Sequence, residues 1–141
     1  MQNEKANGIT EVLEKFNREF PRPGINPLKL TDPLDIVENP RAEWPSNESP
    51  GIYILMDADK GVLYVGKASC GNIIGGRLNQ HFNAYWKPKD DKAQGCRFVS
   101  TIALPSGHGF EAPAIEEFLI AQLNPPRNLH CQQEGQPLKS P

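Results

Sequence analysis

Gly51-Ile52-Tyr53-Ile54-Leu55-Met56, then Asp57-Ala58-Asp59-Lys60-Gly61, then Val62-Leu63-Tyr64-Val65-Gly66 is the stretch on which the fold turns. Two short runs of β-branched, aliphatic and aromatic residues flank five turn-forming residues, which predicts a β-hairpin. Tyr53 lies near the start of one strand and Tyr64 near the end of the other. An antiparallel pairing can bring those positions together.

Downstream, a loop through Ser69, Cys70 and Gly71 leads to Asn72, which can cap a helix with the apolar stripe Ile74, Leu78, Phe82 and Tyr85. Gly75 and Gly76 weaken its first turn. Residues 86–96 are polar and lysine-rich, a surface loop. Phe98 to Leu104 predicts a third strand, stopped by Pro105-Ser106-Gly107. Pro113 suits the first turn of a last helix carrying Ile115, Phe118, Leu119 and Leu123, which Asn124-Pro125-Pro126 ends. Upstream, Ile9, Val12, Leu13, Phe16 and Phe20 recur at helical spacing until Pro21 and Pro23. Seven of the chain's fourteen prolines fall in residues 21–50. Leu28, Leu30, Leu34, Ile36, Val37 and Trp44 make that extended segment too apolar for a solvated linker, so it is expected to wrap against the core. The predicted fold is α/β: a small three-stranded antiparallel sheet flanked by helices, preceded by a helix and a proline-rich wrapping segment. Residues 1–50 form the N-terminal extension, 51–131 the central domain and 132–141 a polar tail.

The chain has 141 residues, 38% hydrophobic and 23% charged, which suits one soluble domain. No apolar run approaches a membrane span and the N-terminus lacks a signal-peptide core, so a cytoplasmic protein with no membrane partner is expected. Cys70, Cys96 and Cys131 are odd in number and widely spaced, which predicts reduced thiols rather than a disulfide frame or zinc pair. The net charge is −2, but unevenly spread: residues 1–66 sum to −4, residues 67–97 to +4 and residues 98–141 to −2. Lys67, Arg77, Lys87, Lys89, Lys92 and Arg97 make the basic excess. Such a segment is either a solvated loop or a local positive patch.

Taken singly, the chemistry-bearing residues have ordinary explanations. Strand tyrosines usually pack. Arg77 and His81, four apart on one helix face, suit a solvated pair, and Glu116 beside Glu117 suits a surface. His108 and His130 have no partner at ligand spacing. Trp44 and Trp86 suit packing better than base stacking. Neither a phosphate-binding GxxxxGK[ST] loop nor a GxSxG elbow is present.

The combination is more specific. Gly51-Ile52-Tyr53 is followed, eleven residues after its tyrosine, by Tyr64-Val65-Gly66, then Lys67-Ala68, Arg77-Leu78, Glu116, Leu119-Ile120, Pro125 and Asn128. This order resembles the GIY-YIG nuclease family over roughly residues 50–130. Val65 stands where the second tripeptide usually has Ile. Glu116, not Glu117, has the matching twelve-residue spacing to Asn128. The Arg77-x-x-x-His81 arrangement looks like the restriction-enzyme branch. The stretch from Lys67 to Arg77 is longer than in the tightest versions, and no familiar DNA-reading module is attached.

The resemblance implies an endonuclease that hydrolyses DNA phosphodiesters with one divalent metal, Mg²⁺ or Mn²⁺, bound by Glu116. Arg77 would hold non-bridging phosphate oxygens. Tyr64 would be the general base, with Lys67, the metal and Arg77 favouring its phenolate and burial in an apolar strand opposing it. Tyr53 would position the water or share that role, His81 would bond the phosphate or assist a tyrosine, and Asn128 would orient Glu116 or a nearby loop. DNA would lie along Lys87, Lys89, Lys92 and Arg97. One rival is a non-catalytic DNA-binding module with the same fold. Another is a partner-dependent subunit that docks a protein through residues 1–50, whose prolines and exposed-looking Trp44 suit that use.

Overall fold

The computed structural model describes residues 4–129. His130, Cys131 and the polar tail, each given a reading above, lie outside the described residues. Helix α1 spans Glu4–Glu19, followed by strands β1 (Leu34–Asp35), β2 (Gly51–Met56) and β3 (Val62–Ala68), helix α2 (Ile74–His81), strand β4 (Phe98–Ala103) and helix α3 (Ala112–Leu123). The sheet is antiparallel in the order β1-β4-β2-β3. The hairpin forms as its sequence predicts. Asp57 closes the turn by accepting the amides of Asp59 and Gly61 on Oδ1.

Among the described residues the sheet has four strands, not three. Leu34 and Asp35 pair with Val99 and Phe98. A two-residue strand after Pro33 has no room for an alternating pattern, so only the partner β4 reveals it. The second correction concerns α2. Asn72 does not cap it; its Nδ2 donates to the Ser69 carbonyl instead, and Ile73 takes the cap position without a side-chain bond. The helix also ends at His81. Phe82 is its extended C-cap, and Tyr85 sits in a separate 3-10 turn, Ala84–Trp86, with 54% of its surface exposed. Tyr85 therefore leaves the predicted stripe.

Strand alternation divides two apolar layers. On one face Ile52, Ile54, Met56, Val65 and Ile102 pack with Ile9, Leu13 and Phe16 of α1 and with Ile115, Leu119 and Ile120 of α3. On the other, Tyr53, Leu55, Tyr64, Ala68 and Val99 pack with Ile74 and Leu78 of α2, and with Ile36, Trp44 and Phe82. Trp44 is only 3% exposed and stacks on Trp86 at 4.2 Å, which corrects its reading as an exposed docking residue. Among the described residues no helix is long and apolar enough to cross a membrane.

Candidate active site

The site gathers around the edge strand β3. Tyr64 and Gly66 face α2, while Val65 and Lys67 point to the α3 side, so one strand feeds both faces. Tyr53 stands opposite Gly66, and the Tyr53 ring occupies the space where a Cβ on residue 66 would sit. Gly51 has φ +148°, and a Cβ there would strike the Ile102 carbonyl of β4. The two motif glycines therefore allow close approach, one to a ring and one to a neighbouring strand.

On the α2 face the Tyr53 and Tyr64 rings lie 6.2 Å apart, and His81 packs against both, at 5.5 and 5.6 Å. The Tyr53 hydroxyl is 2.9 Å from His81 Nε2, and His81 Nδ1 is 2.7 Å from Asp90 Oδ2. Tyr53 and His81 are buried. Burial raises the Tyr53 phenol far above its ordinary range, the negative charge of an ionised Tyr64 adds to this, and Arg77 opposes it. The Tyr64 phenol is raised too, first by burial and then by Glu116, with Arg77 and a side-chain hydrogen bond shared with Tyr53 pulling it back. Burial therefore opposes the Tyr64 phenolate and Arg77 favours it, while Lys67 Nζ lies 3.6 Å from Glu116 Oε1.

The Arg77 guanidinium hydrogen-bonds Tyr53, yet its buried Nε has no hydrogen-bond partner among the described residues. Such a donor is costly unless something accepts from it. Glu116 turns inward, its side chain 13% exposed, whereas Glu117 faces solvent. Among the described residues there is no group of three or more His, Cys, Asp or Glu able to hold a metal. Glu116 is a single hard-oxygen donor, a set that fits a cation keeping most of its waters.

Asn128 bonds the backbone of β3. Its Oδ1 accepts the Val65 amide at 2.8 Å and its Nδ2 donates to the Val65 carbonyl at 2.9 Å, which closes the outer edge of β3. Lys87, Lys89 and Lys92 are exposed, and Lys92 Nζ stands 5.3 Å from the Tyr64 ring centre. Arg97 does not join them. Its guanidinium bonds Asp35 at 2.9–3.2 Å, at the opposite edge of the sheet.

Two residues of the site were invisible in the sequence. Asp90 carries no sequence signal, because its nine-residue separation from His81 follows no regular period. Arg127 Nη1 donates to the carbonyls of Asp91, Lys92 and Gln94, at 2.7, 3.2 and 2.8 Å, and holds the loop that carries Asp90. Its neighbour Asn128, within the motif, was the only available signal. Cys70 and Cys96 are free thiols, and burial pushes the Cys96 thiol up to about 12.

The GIY-YIG catalytic domain matches residues 49–129, more than half of the chain, and the chain belongs to that nuclease family. It is similar to UvrABC system protein C of Alcanivorax borkumensis, with 36% identity over 80 residues. That match covers 57% of this chain and 13% of the relative's length. No solved structure matches it.

Proposed function

We propose that the protein is an endonuclease that hydrolyses DNA phosphodiesters at the β3 edge. The observation that carries this reading is the unpartnered buried Nε of Arg77, beside two tyrosines whose ionisation both Arg77 and Glu116 affect. A phosphate oxygen supplies the acceptor that Nε lacks, and the planar guanidinium can bind it through two donors. Glu116 is the residue that would hold one divalent cation, Mg²⁺ or Mn²⁺; its 3.6 Å contact with Lys67 is loose enough to yield. When bound, that cation would stabilise charge on the leaving oxygen.

Tyr64 retains 9% exposure and Tyr53 none, so Tyr64 is the base that meets the attacking water. Tyr53 and His81 stand behind it. Lys67 balances the Glu116 carboxylate, and Lys87, Lys89 and Lys92 contact the DNA backbone. Asn128 serves by holding β3, and so Tyr64, in place.

The test is plasmid cleavage with Mg²⁺, Mn²⁺ or EDTA, using native protein and Glu116→Ala. Native protein should nick DNA only with metal. The variant should bind DNA with near-native affinity and lose cleavage by two or more orders of magnitude. A variant that cuts at the native rate removes Glu116 from the mechanism. A native protein that binds and never cuts makes the chain a binding module.

A further inference from the structure

We infer that Asp90 is a positioning residue that locks His81 in the tautomer able to accept the Tyr53 proton. This deepens the nuclease reading above and rests on it for its catalytic consequence.

The lock follows from donor and acceptor chemistry. An ionised carboxylate only accepts. With Asp90 Oδ2 at 2.7 Å, the His81 Nδ1 must carry the proton. Neutral imidazole then leaves Nε2 as an acceptor, and the partner 2.9 Å away is the Tyr53 hydroxyl, which must donate. The chain therefore has one direction, from Tyr53 to His81 to Asp90.

Asp90 is itself held. Its Oδ1 accepts the Ala93 amide, and the residues that follow it are clamped by three bonds from Arg127. The groups facing His81 are Tyr53 from β2, Tyr64 from β3 and Asp90 from the loop, with Arg77 one turn back on its own helix and Glu116 acting across β3 on both phenols.

The chain removes an obstacle. Tyr53 and Tyr64 are buried enough that neither phenol ionises readily. A proton taken from water by Tyr64 need not stay on a tyrosine. As the water oxygen bonds to phosphorus and the bond to the leaving oxygen breaks, one water proton passes to Tyr64. The Tyr64 proton passes to Tyr53 along the side-chain hydrogen bond the two phenols share, and the Tyr53 proton passes to His81 Nε2. The leaving oxygen takes a proton from solvent. Both tyrosines end neutral, and the imidazolium sits against the Asp90 carboxylate, the same logic by which an acid supports histidine in hydrolytic triads. Solvent then removes the extra proton from His81.

The experiment combines imidazole ¹⁵N NMR of the metal-free protein with single-turnover cleavage, for native protein, Asp90→Asn, Asp91→Asn and His81→Ala. Native His81 should show a protonated Nδ1 and an unprotonated Nε2. In Asp90→Asn the amide can donate to Nδ1, so the proton should move to Nε2. The cleavage rate should then fall roughly 10²-fold, the lower end for a general-base contribution, with DNA affinity unchanged. Asp91→Asn removes the same charge next door and should leave tautomer and rate native. Asp90→Asn combined with His81→Ala should lose no more than His81→Ala alone. A native His81 protonated on Nε2, or a tautomer unmoved in Asp90→Asn, overturns the lock. A switched tautomer with native rate overturns its part in the reaction. A native protein with the expected tautomer that cuts no DNA overturns the nuclease reading and leaves the lock standing.

Discussion

Gly66 shows how little room the site allows a single residue. The Tyr53 ring lies across it, with Cζ, Cε1 and the hydroxyl all where a methyl group would go. The same ring is fully buried and reaches His81 at 2.9 Å, so it cannot step aside without breaking that bond. Overpacking a core in this way costs about 1–3 kcal/mol. Gly66→Ala should therefore lower the melting temperature by several degrees and cut the cleavage rate at least tenfold at a temperature where it stays folded. A thermal melt and a single-turnover assay check this. Native values in both would mean the ring has space the packing does not show.

At the scale of elements, β3 is an edge strand carrying Tyr64, the base proposed above, and an open edge is free to slip or pair with another chain. Asn128 answers this with one side chain that bonds both the amide and the carbonyl of Val65, while the Arg127 amide bonds the Leu63 carbonyl. Two residues after α3 thus continue the ladder. Asn128→Ala leaves two buried backbone groups unpaired, each worth about 1–3 kcal/mol. The variant should be destabilised by about 2–6 kcal/mol in urea titration. Its cleavage rate, measured well below its melting temperature, should fall far less than that of Glu116→Ala. Native stability would refute the edge-closing role; a rate loss equal to Glu116→Ala would give Asn128 a direct part in the reaction.

Across the whole molecule, the N-terminal residues and the family domain share one core, since Ile9, Leu13 and Phe16 pack with β2 and α3. A polar tie reinforces it. Arg22, just after α1, bonds Glu111, just before α3, through Nε at 2.7 Å and Nη2 at 3.0 Å. The Arg22 bond is the largest influence on the Glu111 carboxyl and lowers its pKa below the ordinary 4.5. A depressed folded pKa means the tie stabilises above the unfolded value and is lost as pH falls through the folded one. Glu111→Gln should cost about 1–3 kcal/mol at pH 7. The difference from native protein should shrink as pH drops below about 4. Thermal melts across pH 2.5–7 measure it. A gap that stays constant with pH would show that charge plays no part in the tie.

Features that depend on neighbours along the chain were readable from the residues alone. Residues 51–66 alternate and turn as a hairpin must, and Ile115, Leu119 and Pro113 mark α3, because periodicity and turn chemistry act over a few bonds. The motif residues Tyr53, Tyr64, Arg77, His81 and Glu116 were legible for the same reason: their order and spacing survive in one dimension. Other features arise from packing in three dimensions. Leu34–Asp35 is a strand because β4 offers it unpaired backbone groups. Asn128 is a backbone clamp because β3 ends beside it, and Arg97 is spent on Asp35 because the β1 edge brings them together. Asp90 becomes the partner of His81 because Arg127 folds its loop back across the tyrosines. A hydrogen bond depends on a few tenths of an ångström in space, and residues 36 apart acquire that distance only when the sheet and helices have packed.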